Sequence, residues 1–310
     1  MYKWRQANKW SDSIPGSDEP LLEQLPIKLI GAGPKERIDI AMGYATRYPK
    51  VCKNRYGPVM QLFTNDPELI RVCFMNSRNS RKTRLYKYFF YGNGLVTAND
   101  KIWKLHRKLI NPAFGNKAVF NFIPIFNQNI INLIEKVQEF NGTEFNLLEP
   151  MIQVTLDNVC DSSIGVKIEA VKNNFPLNEY LQKIVEIVAD RQLNLLYQIP
   201  FYYYFTKKKK EDDHARAWIM KFVRELISER EKVFDENINE NNNNDFIEDE
   251  KTPRIMLDVL LHGHKIDGVL TRKDIEDHVL TMISAILFDI LLEEETAIKY
   301  KTKPQANMTR

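Results

Sequence analysis

The chain has 310 residues, of which 44% are hydrophobic and 11% aromatic, so it can bury a globular core and is not a disordered protein. Its 44 basic and 41 acidic side chains nearly balance, at a formal net charge of +3, which gives no support to a nucleic-acid-binding function. Cys52, Cys73 and Cys160 are widely spaced and form no C-x-x-C pair. That spacing excludes a disulfide framework and a cysteine zinc site, and it fits a reducing compartment.

The N-terminal third is predicted to hold coil, a helix, a strand and a second helix. Coil is expected up to about Pro34, and the opening MYKWRQANKWSDSIPGSDEP has no apolar run long enough for a signal peptide or a membrane span. PKERIDIAMGYATRYPK then has helical spacing, and YGPVMQLFT is strand-like. In NDPELIRVCFMNS, which follows, Asp66 is placed to cap a helix and Pro67 suits its first position.

From Asn99 onward nearly every segment has helical periodicity. The predicted helices are DKIWKLHRKLI ending at Pro112, KAVFNFIPIFNQNIINLIEKVQEFN ending at Gly142, a helix from about Leu147 to Ser163 that stops at Gly165, FPLNEYLQKIVEIVADRQLNLLYQ, and DDHARAWIMKFVRELISEREKVF. The polar, asparagine-rich stretch DENINENNNNDFIEDEKT is interpreted as a mobile loop.

A long helix is predicted to begin near Thr271 and to bury one apolar stripe. The stripe consists of Ile275, Val279, Met282, Ile283 and Ile286. Helices outnumber strands along the whole chain and do not alternate with them, which excludes a doubly wound sheet. The predicted fold class is therefore mainly α with a small β element.

The segment NDKIWKLHRKLINPAF holds the candidate binding residues. Trp103 and Arg107 lie four residues apart, so their side chains are neighbours on one face of a helix, and His106 lies beside them. Indole N–H, imidazole and guanidinium groups on one face can bind a single anion. For an isolated pair the alternative is that Trp103 is a core residue and Arg107 a surface charge.

Three segments resemble one known family in the same order. GLVTANDKIWKLHRKLINPAF, with its W-x-x-x-R core, is similar to the third lettered helix of the cytochrome P-450 superfamily, and its flanks resemble the insect family-4 clade most. YGPVMQLFTNDPELIRVCF resembles the first strand and second helix of that clade, and TLDNVCDSSIGVKIEA resembles a later helix. The opening IPG resembles the hinge that follows the membrane anchor.

The resemblance spans Ile14 to Ala285 and implies a cytochrome P-450-like helical fold whose C-terminal part is missing. It predicts a partial domain over residues 1–285 and a divergent tail over 286–310. In the family, the tryptophan and arginine of W-x-x-x-R hydrogen-bond a haem propionate. The resemblance maps this role to Trp103 and Arg107, with His106 as a helper, and it places Ala285 beside the haem as a further cofactor-binding residue.

The sequence departs from the family at the residues that carry iron and oxygen chemistry. The F-x-x-G-x-x-x-C-x-G loop, whose cysteine ligates the haem iron, has no counterpart, and neither does the E-x-x-R helix that borders the haem pocket. Ala285 is followed by ILFDILLEEETAIKY in place of A-G-x-D-T-T. Cys160 lies on a helical stripe and is expected to be a small buried hydrophobic residue. The chain is therefore expected to lack the iron ligand.

Two function classes remain open. One is an enzyme, a haem-thiolate monooxygenase that inserts one atom of dioxygen into an apolar substrate such as a fatty acid, hydrocarbon or xenobiotic, with electrons from an NADPH-dependent reductase. The other is a truncated, catalytically inactive relative or a non-enzymatic binding remnant. A nucleic-acid binder that uses the lysine run has little support, because the basic residues do not interleave with a stacking platform.

The resemblance also implies location at the endoplasmic reticulum membrane, on its cytosolic face, and the chain is expected to lack the family's N-terminal anchor helix. The candidate membrane contact is LLYQIPFYYYFTKKKK. Its aromatic side chains suit the headgroup level of a bilayer, and its lysines suit anionic lipid. The alternative is a solvated turn with one or two buried tyrosines.

Overall fold

The computed structural model describes residues 14–16, 34–56, 59–75, 82, 84–89, 92–173, 175–194, 196–241 and 255–285. These residues form two compact units, one made of Met1–Thr83 with Ile187–Lys209 and the other of Arg84–Glu186 with Lys210–Arg310. Helices dominate the described residues, and their strands form one two-stranded antiparallel sheet. The predicted fold class, mainly α with a small β element, is confirmed.

The described helices and strands follow in chain order. The helices are α1 Pro34–Arg47, α2 Pro67–Met75, α3 Asp100–Ile110, α4 Asn116–Asn121, α5 Ile123–Gln138, α6 Leu148–Val159, α7 Ala170–Asn173, α8 Leu177–Leu193, α9 Pro200–Tyr204, α10 Lys207–Asn241, α11 Met256–Lys265, and α12 over 272–285. The strands are β1 Val51–Tyr56 and β2 Val59–Thr64. Short 3-10 turns occupy Arg84–Tyr88, Asn111–Phe114 and Leu196–Gln198, and a π turn occupies Cys160–Ile164.

In the first unit, β1 pairs with β2 so that Val51 lies opposite Thr64 and Tyr56 opposite Val59. The sequence predicted β2 but missed β1, because VCKNRY has no regular alternation of apolar and polar residues. The amide of Lys53 donates to the carbonyl of Pro15 at 2.9 Å, so part of the predicted hinge lies alongside β1. The coil expected before Pro34 otherwise lies outside the described residues.

The cap predicted for α2 is confirmed. Asp66 Oδ1 accepts hydrogen bonds from the amides of Glu68 at 2.9 Å and Leu69 at 3.2 Å, and Pro67 is the first helical residue. These bonds satisfy amide groups that the first turn of any helix leaves without an intrahelical acceptor. The local sequence is therefore sufficient to place the start of α2.

In the second unit, the single helix predicted up to Gly142 is two helices, α4 and α5. The break falls at Phe122, and Pro124 lies in the first turn of α5. Proline has no amide hydrogen and clashes with the carbonyl four residues earlier, so it is tolerated in a first turn and disrupts a helix interior. The apolar periodicity on both sides of Pro124 concealed this break.

The ends of α6 and α10 differ in how well the sequence predicted them. The helix α6 continues through the π turn and stops at Gly165, whose φ of 76° is left-handed, as predicted. By contrast, α10 begins at Lys207 and includes the lysine run, with Thr206 Oγ1 accepting from the Lys209 amide at 3.2 Å. It also extends to Asn241, into the predicted loop, whose remainder at 242–252 lies outside the described residues.

Helices α10, α11 and α12 contribute part of the core of the second unit, to which α6 and the start of α8 also contribute. The predicted stripe of α12 is buried at Ile275, Val279 and Ile283 and half-buried at Met282, whereas Ile286 lies outside the described residues. Helices α10 and α11 bury a matching set of apolar side chains, which are Ile219, Val223, Ile227, Leu257, Leu260 and Leu261. This burial holds α12 in the interior of the unit, where its polar side chains can be placed against α3.

Candidate haem-binding face of α3

Most of α3 is exposed, including Trp103 and Arg107, and its buried side chains lie along one edge of the face that carries this pair. Trp103 is 40% exposed and Arg107 is exposed, while His106 and Ile110 are buried. The Arg107 guanidinium forms no ion pair or hydrogen bond with any residue that the structure describes. Two hydrogen-bond donors four residues apart are thus accessible on one helix face, which matches the spacing argument made from the sequence.

Apolar side chains are also exposed on and after α3. Ile102 and Leu105 of the helix and Phe114 of the following turn are exposed. A carboxylate suits the paired indole and guanidinium donors, whereas Ile102 and Leu105 lie on other sides of the helix. The residues of this face therefore fit the carboxylate side of a haem group, and Trp103 and Arg107 are the residues that would hold it.

His106 differs from Trp103 and Arg107 because its side chain is buried and contacts other residues of the protein. Its side chain is 4% exposed, and its Nδ1 lies 3.3 Å from the carbonyl oxygen of Asn93 and 2.9 Å from Nε2 of His278. Any contact of His106 with an anion would therefore fall to Nε2, since Nδ1 is already occupied. The helper role expected for His106 remains a prediction with this restriction.

Ala285, the fourth expected cofactor-binding residue, is the last described residue of α12 and is exposed. Ser284 beside it is buried, and its Oγ has no hydrogen-bond partner among the described residues. Both residues belong to the same unit as α3. The role of Ala285 beside a cofactor, and the divergent tail over 286–310, remain predictions, because the residues that follow Ala285 lie outside the described ranges.

A polar network that the sequence did not predict joins α12 to the loop before α3. Asp277 Oδ2 accepts from the Asn93 amide at 2.8 Å, and Asp274 Oδ1 accepts from Asn93 Nδ2 at 3.0 Å. Lys273 Nζ donates to Asp277 Oδ1 at 2.7 Å. Acidic residues in a first helical turn are common as caps, so the pattern T-R-K-D-I-E-D-H gave no signal of a tertiary role.

The network shifts three pKa values. Burial, with a smaller effect of neighbouring His106, lowers the pKa of His278 to about 4 against the opposing effect of Asp274. Burial raises the pKa of Asp277, although Lys273 and the Asn93 amide oppose it. Burial also acts to raise the pKa of Asp274, but hydrogen bonds from Thr271 and Asn93 lower it overall. At neutral pH the network therefore holds a neutral His278.

The buried cysteines do not fit the role of an iron ligand. Cys160 is completely buried, as predicted, and burial raises the pKa of its thiol, so the thiolate that ligates iron is disfavoured. Burial likewise raises the pKa of Cys52 in β1. Cys73 is exposed on α2, in the first unit. Within the described ranges, His, Cys, Asp and Glu side chains form no group of three that could hold a metal ion.

The E-x-x-R spacing does occur in the chain, at Glu68 and Arg71 of α2. The two side chains pair at 3.0 Å, but both are exposed. They form an ordinary surface ion pair three residues apart, in the first turns of an early helix. This pair does not supply the buried helix that the family carries near its haem pocket.

The aromatic segment after α8 is exposed except at one residue. Phe201 is 77% and Phe205 70% exposed, and Tyr202 and Tyr204 are also exposed. Tyr203 is buried beneath the Arg191 guanidinium, which lies 3.9 Å from the ring centroid. In the part of the chain that the structure covers, no helix has both the length and the apolar character needed to cross a membrane.

Comparisons with known proteins identify one group of relatives. A sequence profile of the cytochrome P450 family matches residues 18–285. Cytochrome P450 4g1 of Drosophila melanogaster is 27% identical over 230 residues, which cover 72% of this chain and 41% of that protein. Cytochrome P450 4c3 of the same species is 30% identical over 240 residues, covering 73% of this chain and 44% of that protein. Cytochrome P450 4d2, also of that species, is 25% identical over 293 residues, which cover 91% of this chain and 58% of that protein. The chain spans about half the length of the curated relatives it matches.

Proposed function

We propose, from the premise that this chain belongs to the cytochrome P450 family, that it supplies the carboxylate-binding face for the haem of a monooxygenase. The observation that carries the proposal is the exposed Trp103 beside an Arg107 that has no ion pair with any described residue. Both donate hydrogen bonds and neither accepts one, so together they select an anionic group. The exposed ring of Trp103 supports a ligand whose carboxylate is attached to a hydrophobic group.

Haem, when bound, supplies the dioxygen chemistry of the family, by which one oxygen atom enters an apolar substrate. For this chain we infer a fatty acid, a hydrocarbon or a xenobiotic as the substrate class, with electrons from an NADPH-dependent reductase. The relatives of the insect family-4 clade support the class of reaction. The residues of α3 would bind and orient the cofactor by its carboxylate and would not contact the reacting atoms.

A second candidate function is cofactor or ligand binding without oxygenation. The observation that favours it is the burial of Cys52 and Cys160, which raises the pKa of both thiols and so disfavours the thiolate form that ligates iron. On this reading the chain binds through α3 but needs an iron ligand from elsewhere before it can catalyse oxygen insertion. The two candidates share Trp103 and Arg107 and differ in the ligation of iron.

Titration of the purified chain with haemin tests the shared part of the proposal. We expect Arg107→Ala to weaken haemin binding about tenfold, because a charge-assisted hydrogen bond contributes roughly 1.5 kcal/mol. Trp103→Phe keeps the ring but deletes the indole donor, so its effect should be smaller. Lys101→Ala is the control, since Lys101 is an exposed cation on the other side of the same helix. Equal affinities for wild type and Arg107→Ala would overturn the assignment.

The ferrous–CO spectrum of the haemin-loaded chain separates the two candidates. Because neither buried cysteine favours the thiolate, we expect no thiolate-type Soret band from this chain alone. A thiolate-type band that disappears in Cys52→Ser, Cys73→Ser or Cys160→Ser would establish an internal ligand and favour the complete enzyme. Persistence of such a band in all three variants would point to a ligand added with the haemin.

We also propose that the chain contacts the cytosolic face of the endoplasmic reticulum membrane through Phe201, Tyr202, Tyr204 and Phe205. Their exposure beside the lysines that begin α10 supports this location. Co-sedimentation with vesicles of phosphatidylcholine and phosphatidylserine tests it. The double variant Phe201→Ser, Phe205→Ser should lose most of the bound fraction, whereas Phe120→Ser, at an exposed phenylalanine of α4, should not. Equal losses in both variants would mean non-specific hydrophobic adsorption.

A further inference from the structure

His106 and His278 form a buried pair between helices that are far apart in sequence. The two rings are 4% and 1% exposed, and His278 Nε2 lies 2.9 Å from His106 Nδ1 across a sequence separation of 172 residues. Their ring centroids lie 4.8 Å apart at an interplanar angle of 71°. One nitrogen must therefore donate and the other accept, because two lone pairs or two N–H groups would repel at this distance.

The carbonyl of Asn93 decides which nitrogen donates. It lies 3.3 Å from the same His106 Nδ1, and a carbonyl oxygen only accepts. A hydrogen on His106 Nδ1 satisfies both neighbours at once, so His278 Nε2 is the acceptor and the hydrogen of a neutral His278 is on Nδ1. The opposite assignment would leave the Asn93 carbonyl facing a lone pair. The lowered pKa of His278 agrees with a neutral acceptor.

Hydrogen bonds next to the histidine pair fix the loop before α3 against α12. The titratable groups that act on His278 are His106 of α3 and Asp274 of its own helix. Asp274 and Asp277 bind the side chain and the amide of Asn93, so the loop before α3 is fixed against α12 at two points. Gly92 allows this approach: its φ is 48°, and a Cβ there would lie 2.0 Å from Asp277 Oδ2.

The contact of His106 with His278 sets the rotation of α3 about its axis. With His106 held inward by His278, Trp103 and Arg107, which flank His106 on the helix, both reach the surface, although most other residues of α3 are exposed as well. The Nδ1 of His106 is occupied, which leaves Nε2 as the ring nitrogen that can act on a further group. The position of His278 therefore determines how the donor face of α3 is presented.

We propose that His278 is a positioning residue for the carboxylate-binding face of α3, which it orients by accepting the hydrogen bond of His106 Nδ1. The ligand class, a carboxylate on a flat apolar group, rests on the proposed function, whereas the histidine pair does not depend on it. His278 acts through His106 and does not touch the ligand. The role requires an acceptor at position 278, and it does not require that this acceptor titrate.

Haemin affinity of the full-length chain tests the role, with unfolding midpoints recorded in parallel. His278→Gln keeps a side-chain acceptor and should keep haemin affinity within about twofold, whereas His278→Leu removes it and should weaken binding about tenfold, since one hydrogen bond is at stake. Ile275→Ala is the matched control, because Ile275 is completely buried on the same helix and its truncation destabilises by packing alone. If Ile275→Ala lost as much haemin affinity as His278→Leu, the effect of His278→Leu would be explained by lower stability alone. That result would overturn the proposal.

Imidazole ¹⁵N chemical shifts of the ligand-free chain provide a readout that needs no haemin. We expect His106 to carry its hydrogen on Nδ1 in wild type and in His278→Gln, and His278 to be neutral with an unprotonated Nε2. An unprotonated His106 Nδ1 in wild type would overturn the proposal. If His278→Leu does not fold, His278→Asn, whose amide is too short to reach His106, takes its place. If the wild-type chain did not bind haemin but showed the expected chemical shifts, the proposed function would be rejected. The hydrogen bond between the two histidines would still be supported.

Discussion

At the scale of single residues, His106 and Gly92 show how a tertiary contact gives a local motif its orientation. The W-x-x-x-R spacing fixes only that Trp103 and Arg107 share a face, and any rotation of α3 would preserve that relation. The buried His278 selects one rotation, since it holds His106 inward at 2.9 Å. Gly92 matters for the same reason, because only glycine lets the loop approach Asp277 so closely.

Acid should destabilise the protein through His278. Its pKa is about 4 in the folded state, against an ordinary value of 6.5, so the unfolded state binds more protons between these values. The free energy of unfolding should therefore fall as pH drops from 6.5 to 4, by on the order of 2–3 kcal/mol, and level off below that. Urea denaturation across this range measures the change.

The control for this prediction is His278→Gln, which cannot titrate. Asp277, whose pKa is raised, stabilises the folded state as pH falls and acts in the opposite direction, but it does so in both proteins. The difference in unfolding free energy between wild type and His278→Gln therefore isolates His278. A difference that stays constant from pH 6.5 to 4 would contradict the lowered pKa.

Gly92→Ala should destabilise the protein by about 3 kcal/mol or more, because it combines left-handed strain with a clash against Asp277. Gly142→Ala is the matched control. Gly142 is also left-handed, at a φ of 78°, but a Cβ there meets nothing within 4 Å, so only the backbone cost of about 1 kcal/mol is expected. Chemical denaturation of both variants tests the difference, and equal costs would mean that the close approach to Asp277 is not formed.

At the scale of elements, helix ends and helix pairs are fixed by different interactions. The start of α2 and the end of α6 are set locally, by Asp66 and by Gly165. The contact of α10 with α11 is instead held by Arg230, whose Nε and Nη2 donate to both carboxylate oxygens of Asp258 at 2.8 and 2.6 Å. Both side chains are largely buried, so water screens this pair poorly.

Asp258→Ala should cost about 3 kcal/mol of unfolding free energy, because it leaves the charge of Arg230 largely buried without its partner. The control is Glu225→Ala, which breaks the exposed pair of Lys221 and Glu225 on α10 and should cost less than about 0.5 kcal/mol. Urea midpoints of the two variants measure both values. If the two changes cost the same, the Arg230–Asp258 pair does not hold α10 against α11.

At the scale of the whole molecule, the described helices differ in how much apolar surface they expose, and α2, α4, α5 and α9 all carry exposed apolar side chains. From the sequence, the long terminal helix was expected to bury its apolar stripe, and Ile275, Val279 and Ile283 are buried as expected. The same helix is paired to α10 by Arg224 with Glu276 at 2.9 Å and by Glu231 with Arg272 at 2.7 Å. On α4 and α5, by contrast, Phe120 is 68% exposed and Ile131 47% exposed.

The purified chain should therefore bind the dye ANS in its folded state. The double variant Ile131→Gln, Ile134→Gln should reduce the dye fluorescence by roughly half without lowering the melting temperature, because both side chains are exposed and contribute little to the core. Val233→Gln, at an exposed valine of α10, is the control and should change neither quantity. Dye fluorescence that the double variant leaves unchanged would place the apolar surface elsewhere.

The sequence by itself determined the family, the mainly helical fold, and most helices of the chain. Patterns of three and four residues encode a helix face, so the adjacency of Trp103 and Arg107 and the cap at Asp66 were readable directly. The family of the chain, and its resemblance to insect family-4 proteins, followed from motifs that occur in the family's order, and both are confirmed by the comparisons. These features depend on residues close together in the chain, which is the range that periodicity describes.

Only the tertiary structure decided which way α3 faces and what holds it there. The partners His106 and His278, and Asn93 with Asp277, are separated by more than 170 residues, and no periodicity relates such distant positions. Strand β1 was missed for a similar reason, since its pairing with β2 stabilises a polar segment with no strand pattern of its own. The W-x-x-x-R motif places Trp103 and Arg107 on one face of α3. Burial and hydrogen bonding within the second unit decide which way that face points.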